Sequence, residues 1–404
     1  MLNSNFDENS IRNLLTIRYN PSEKSLIPRA TWENFNSIHT DPDGIKTKKL
    51  LKSAFQKQIK NSTEPLSISL SSGIDSTLCL SLLRETFPDR ELVGICGVFK
   101  NGFDESKKAS KIAKKFDTKF KTVNMPSIYQ TMPKLISITK KPRWNTYTHI
   151  IAQEAKKFSS YYVAGDGADE IFGGYTFRYA KFLNLCKSNF NWKDKVKAYL
   201  ECHNRDWVPD QKVLFGKNIQ FKWDSIYQYF KSYFSNSLHP LQQVMLADFN
   251  GKLLYDFIPT SKSVCKHYSL KGISPFLFPS VIKFGLALNV DEKYNEKIEK
   301  GKLILRKIAS NMNIKHIDQK RGFSPELWFD WKKNGKDIFE KYVISKDSEV
   351  IRKKLINEKW ITAAFEFVEN DGSILYLNRL TSILALEIWY RTFVSQEMNV
   401  DEKL

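Results

Sequence analysis

Two short stretches of this 404-residue chain combine residue types suited to the chemistry of polyanions. The first is Leu66-Ser-Ile-Ser-Leu70-Ser71-Ser72-Gly73-Ile74-Asp75-Ser76-Thr77, a hydrophobic strand pattern that runs through small residues into an apolar helix. Small residues let backbone N–H groups come close to a phosphate, and a helix N-terminus adds positive potential. Asp75 adds a carboxylate from which a magnesium ion could bridge to those phosphates. The alternative is a plain βα turn in which Asp75 or Ser76 caps the helix. A Walker A loop is excluded, because no Gly-Lys-Ser/Thr ending follows.

The second stretch is Tyr162-Val-Ala164-Gly165-Asp166-Gly167-Ala168-Asp169-Glu170-Ile-Phe-Gly173-Gly174-Tyr175. Three acids within five residues, spaced by small residues after a buried-strand pattern, repel one another unless a cation or proton intervenes. A Gly/Asp-rich turn with solvated acids is the bland alternative. Open parallel sheets bind ligands at the carboxyl ends of their strands, and both loops fall at such ends. A magnesium ion held between Asp75 and Asp169 explains the two loops together.

The elements that position these loops follow from periodicity. Leu66, Ile68 and Leu70 alternate as a strand, and Leu78, Leu82 and Leu83 continue as a helix. Residues 91–99, 120–125 and 161–165 read as three more strands, with helices near 105–117 and 146–158 between them. Strands alternating with helices of this length predict a doubly wound parallel α/β sheet. Lysines 107, 108, 111, 114, 115, 119 and 121 fall mainly opposite Ala109, Ile112, Ala113 and Phe116, so they read as a solvated face. After residue 185 strand signals fade and aromatic-rich helical patterns dominate. The strongest, residues 374–393, spaces Leu377, Leu380, Leu384, Ile388 and Trp389 as a buried helix. The expected organisation is an extension over 1–50, the nucleotide-binding α/β region over 51–185 and a helical part over 186–404.

Composition bounds the rest. Hydrophobic residues make up 42% and charged residues 26%, which excludes global disorder. No apolar run suits a membrane helix, and no secretory signal opens the chain. Five scattered cysteines, without a Cys-x-x-Cys pair, argue against zinc and for a reduced cytoplasmic setting. The formal charge of +19 would favour polyanions, but no basic stripe interleaved with aromatics marks a nucleic-acid surface.

Ser71-Ser-Gly-Ile-Asp-Ser76 resembles the pyrophosphatase loop of ATP pyrophosphatases. The Gly165–Tyr175 stretch is similar to the signature of the asparagine synthetase synthetase domain. Weaker echoes follow in the family's order: Phe103-Asp-Glu105-Ser106, Ser274-Pro-Phe-Leu277, Lys302-Leu-Ile-Leu-Arg306, Gln319-Lys320-Arg-Gly-Phe323 and Leu386-Glu-Ile-Trp389. The resemblance implies that ATP transfers AMP to a carboxylate, releasing pyrophosphate, and that a nitrogen nucleophile then attacks the acyl-adenylate. Under it, Ser71, Ser72, Gly73 and Ser76 cradle pyrophosphate, while Asp75 and Asp169 hold magnesium. Leu70, Gly97, Ala164 and Gly165 line the adenosine pocket through their backbones. Lys320 stabilises the charge of adenylation, and Asp166 accepts a proton from the amine.

Departures from the family pattern bear on the substrates. The 50-residue extension is too short for a glutaminase, so the expected nitrogen source is free ammonia, an amine or a separate glutaminase subunit. Lys271, Ile273 and Phe278 replace polar groups that the family places beside its acceptor. Family frequency makes aspartate the expected carboxylate, and the loss of those polar groups makes a larger related acid the alternative. A pyrophosphatase-loop enzyme that adenylates tRNA or another nucleic acid is the alternative enzyme class. A catalytically silent binding scaffold is the third reading.

Overall fold

A computed structural model describes residues 7–36, 39–59, 62–102, 104–145, 148–314 and 326–404. Strands β1 (Leu66–Ser69), β2 (Leu92–Val98), β3 (Lys119–Asn124), β4 (Tyr161–Val163) and β5 (Lys271–Ile273) form one sheet. Their order is β3-β2-β1-β4-β5, and every pairing is parallel. Alternate residues of each strand serve opposite faces. Leu66, Ile68, Leu92, Cys96, Tyr161 and Val163 pack with the helices Ile45–Ile59 and Ile74–Thr86. Val93, Ile95 and Tyr162 pack instead with Ile151, Ala152 and Ala155 of the helix His149–Lys156, and with Val264 and Cys265. A parallel sheet buried on both faces is the doubly wound architecture that the alternation of strands and helices predicts.

The winding explains where a ligand would sit. From β1 the chain builds outward through β2 to β3, whereas β4 and β5 add on the other side of β1. The direction reverses between β1 and β4, and the carboxyl ends of those two strands flank the crevice of such a sheet. Both motif loops begin there.

β5 is a departure from the sequence reading, which finds no strand after residue 185. Lys271-Gly272-Ile273 is too short for an alternation pattern, and it qualifies by fit. A Cβ at Gly272 would lie 2.8 Å from Cys265 Sγ. The extension expected over 1–50 contains the helix Glu8–Ile17, and the helix Ile45–Ile59 runs across its boundary at residue 50. Lysines 107, 108, 111, 114, 115, 119 and 121 are exposed while Ala109 and Ala113 are buried, as the amphipathic pattern requires. The helix Ile374–Phe393 buries Leu377, Leu380, Leu384, Ile388 and Trp389 in a second core with Tyr129, Trp331 and Phe339. Among the described residues, no helix is long and apolar enough to cross a membrane.

Candidate active site

The loop after β1 is folded on its own hydroxyls. Ser71 N–H donates to Ser76 Oγ at 3.1 Å, the two hydroxyl oxygens lie 2.9 Å apart, and Gly73 N–H donates to Ser71 Oγ at 3.1 Å. Gly73 is the N-cap of the helix Ile74–Thr86 and places Asp75 in its first turn. Ser72 is turned outward from this arrangement. Its N–H and hydroxyl both donate to Glu105 Oε2, at 2.9 and 2.7 Å. A carboxylate of the chain itself thus occupies donors expected to hold a phosphate, which marks them as an anion-binding pair.

The loop after β4 comes close to the first. A Cβ at Gly165 would stand 3.0 Å from Asp75 Cβ, a tight contact that the glycine spares where the two loops approach. Gly167 and Gly173, at φ of 89° and 74°, open and close the short helix Ala168–Phe172, which carries Asp169 and Glu170. Asp75 and Asp169 then converge on one cation, the ammonium of Lys302. Lys302 Nζ lies 2.7 and 2.6 Å from the two Asp75 oxygens and 2.5 Å from Asp169 Oδ1. The residue is 3% exposed. Its backbone sits in the left-handed region (φ 55°, ψ 37°), and its N–H donates to Phe172 O at 3.2 Å.

The remaining acids of the loop have different surroundings. Burial pushes the Asp166 carboxyl above the usual carboxylate range, opposed by a hydrogen bond with Ser261. Ser274 Oγ donates to Asp166 O at 2.7 Å and ties β5's carboxyl end to the loop. Burial, aided by the charge of Asp169, pushes Glu170 up to about 7, and Tyr175 Oη donates to it at 2.5 Å. The Tyr175 ring is in turn covered by the Arg178 guanidinium, 3.4 Å from its centroid.

Ser71, Ser72, Gly73, Asp75, Ser76, Asp166 and Asp169 all lie in the two loops that meet at the reversal of the sheet. Leu70 and Gly97 stand at the carboxyl ends of β1 and β2, and Ala164 and Gly165 follow β4. Lys320 and the rest of Gln319–Phe323 lie outside the described residues, as does Phe103. Of the positions expected beside the acceptor, Lys271 lies over the Tyr161 ring and Ile273 is buried. Phe278 packs on the core beneath Lys57. These three positions serve the sheet edge and the core. Lys302 and Glu105, by contrast, have no role in the sequence reading beyond their family echoes. Glu105 was findable, since a residue shortly after β2 must lie near the same edge of the sheet. Lys302 carries no local signal.

Magnesium was expected where Lys302 now stands. Among the described residues no cluster of three or more His, Cys, Asp or Glu forms a ready metal centre. Magnesium, however, commonly takes one or two protein carboxylates and completes its shell with water and phosphate oxygens. The hard, convergent oxygens of Asp75 and Asp169 fit that pattern.

The fold is a doubly wound α/β domain whose two motif loops meet at the switch point of a parallel sheet. The family model described as asparagine synthase matches residues 46–391, and the chain belongs to the asparagine synthase family. A curated relative, asparagine synthetase (glutamine-hydrolyzing) 1 of Bacillus subtilis (strain 168), is 28% identical over 150 residues. That match covers 35% of this chain and 23% of the relative, so it spans about a quarter of the relative's length. Among solved structures, NMN synthetase from Francisella tularensis is 15% identical, with a TM-score of 0.28 over 51% of this chain and 92% of that one. The U34-tRNA thiolase NcsA from Methanococcus maripaludis, with its 4Fe-4S cluster, is 15% identical. Its TM-score is 0.24 over 69% of this chain and 84% of that one. At such scores neither likeness carries weight.

Proposed function

We propose that this chain is an ATP-dependent, AMP-forming amide ligase working in the cytoplasm. It activates a carboxylate, aspartate or a related acid, and passes the acyl group to ammonia or an amine. The observation that carries this reading is the convergence of Asp75 and Asp169, from the two switch-point loops, on one shared cation. Membership of the asparagine synthase family supplies the reaction class.

In the first step a substrate carboxylate oxygen attacks the α-phosphorus of ATP and pyrophosphate leaves. The Ser71 and Ser76 hydroxyls and the Ser72 and Gly73 N–H groups hold the departing pyrophosphate once Glu105 withdraws. The backbones of Leu70, Gly97, Ala164 and Gly165 line the adenosine pocket. Asp75, Asp169 and Lys302 together carry one net negative charge, so the nucleotide's phosphates need a cation to come with them. Magnesium, held by Asp75 and Asp169, supplies that neutralisation when bound. Lys320 stabilises the charge that builds up during adenylation. In the second step the nitrogen attacks the acyl carbon and AMP leaves. Asp166, whose burial raises its proton affinity, takes the proton from the incoming amine. The nitrogen comes from free ammonia, an amine substrate or a separate glutaminase subunit.

ATP–pyrophosphate exchange with magnesium across a panel of carboxylic acids tests this reading. Exchange is expected with aspartate or a related acid. It should be lost in Asp75→Asn and Asp169→Asn variants that keep their circular dichroism spectra. Native exchange in either variant would overturn the two-loop site. Nucleic acid carried through purification, with no exchange on any acid, would favour the nucleic-acid-adenylating alternative.

A further inference from the structure

We infer that Lys302 is a tethered stand-in for the divalent cation. It fills the place between Asp75 and Asp169 while no nucleotide is bound, and yields that place to the metal when the nucleotide arrives. The inference rests on the magnesium–ATP reading above for the arrival of the metal, and on this chain's own geometry for the rest.

The first observation is the position of the ammonium. One nitrogen lies 2.5–2.7 Å from oxygens of both acids, so the carboxylates face each other across a single cation. Two acids in a largely enclosed place repel unless a positive charge separates them. A lysine there keeps the two carboxylates spaced and aimed at one point, which is the arrangement a metal requires of its ligands.

The second observation is how the lysine is delivered. Its backbone is anchored by the Phe172 carbonyl and by the helix Leu303–Asn311, whose Ile304, Leu305 and Ile308 belong to the main core. The side chain passes Gly174, where any Cβ would overlap Lys302 Cε. A fixed backbone with a flexible four-carbon stem lets the ammonium move while its root does not. The arriving phosphates offer the displaced ammonium new acceptors. Lys302 is thus a positioning residue for the acids before the metal binds.

Magnesium alone, without nucleotide, is the probe. Thermal unfolding of the full chain is followed with rising magnesium chloride, against matched ionic strength in sodium chloride. The wild type is expected to respond weakly, because its cation place is filled. Lys302→Met should melt lower without magnesium and regain stability with it, with an apparent magnesium affinity about tenfold or more above wild type. The double variant Lys302→Met/Asp169→Asn should lose that response. A magnesium response in wild type equal to that of Lys302→Met would overturn the proposal, as would one that persists in the double variant. Should Lys302→Met fail to fold, Lys302→Arg answers the same question. A guanidinium pairs more tightly with carboxylates, so nucleotide binding should then need several-fold more magnesium. An unchanged magnesium requirement would overturn the proposal. Failure of acid-dependent exchange would instead sink the ligase reading and leave the metal-only melting result standing.

Discussion

Gly174 gives the sharpest test of the site's geometry. Its backbone is not left-handed, so replacing it by alanine adds volume without backbone strain. The new Cβ would overlap Asp169 Oδ1 and Lys302 Cε and lie 2.8 Å from Asp169 Cγ. An ordinary contact begins near 3.4 Å, so the carboxylate must retreat by about 0.6 Å at its carbon, and its oxygen further. The 2.5 Å contact of Asp169 with Lys302 cannot survive that movement. Displacements approaching 1 Å in a positioning group cost about 10²-fold in rate. Overpacking costs about 1–3 kcal/mol in stability, and for a chain of this length each kcal/mol lowers Tm by roughly 1–2 °C. Gly174→Ala should therefore lose about 100-fold in pyrophosphate exchange while melting only a few degrees lower. Exchange at saturating acid and magnesium–ATP, with calorimetric unfolding alongside, measures both. A variant with the native exchange rate would refute the claim that the reaction uses the Asp169 carboxylate in the position it holds beside Gly174.

Three further outcomes follow from the same geometry. Glu105→Ala frees the Ser72 donors and removes a negative charge from the phosphates' path, so magnesium–ATP should bind about 5–30-fold tighter by calorimetry. Weaker binding would instead make Glu105 a ligand of the nucleotide. Lys320→Ala should keep ATP affinity and lose orders of magnitude in turnover, because a charge present only in adenylation is felt in kcat. A normal turnover number would remove Lys320 from the adenylation step. Lys293 is buried, donates to Leu286 O at 3.1 Å, and is pushed down to about 7 by burial from an ordinary 10.5. Between those values the unfolded chain holds a proton that the folded chain has shed, so this residue makes stability rise with pH across the window. Denaturant titrations of Lys293→Met should show that rise flattened and the protein more stable at the low-pH end. An unchanged pH slope would contradict the assignment.

The parts of the molecule legible in its sequence are those with a local physical signature. β1 carries the alternation of Leu66 and Ile68, β2 and β4 carry the apolar runs of strands buried on both faces, and the helix Ile374–Phe393 carries its 3.6-residue spacing without interruption. The two loops stand out because small residues and clustered acids have no good packing explanation. β5 escapes notice because Lys271-Gly272-Ile273 is defined by its neighbour β4 rather than by its own composition. Lys302 escapes for a similar reason. It is one of 63 basic residues, and its partner Asp75 is 227 positions away. Glu105 lies 33 positions from Ser72, and its attachment there follows only from the winding of the sheet. Local pattern reveals where ions gather, and long-range topology decides which of the chain's own charges already wait there.

That long reach also orders events at the ribosome. Asp75 and Asp169 belong to the first half of the chain, whereas the cation that joins them is residue 302. At ordinary elongation rates the gap between residues 169 and 302 lasts on the order of ten seconds. During that interval β1, β2, β3 and β4 are available to pair, while the two acids still await their lysine. The nascent domain is electrostatically unfinished until β5 has been made and the helix after Lys302 docks on the helix after β1. Closing the charge triad is thus coupled to bringing late segments onto an early scaffold, and the crevice at the sheet's reversal matures only once about three quarters of the chain has been made.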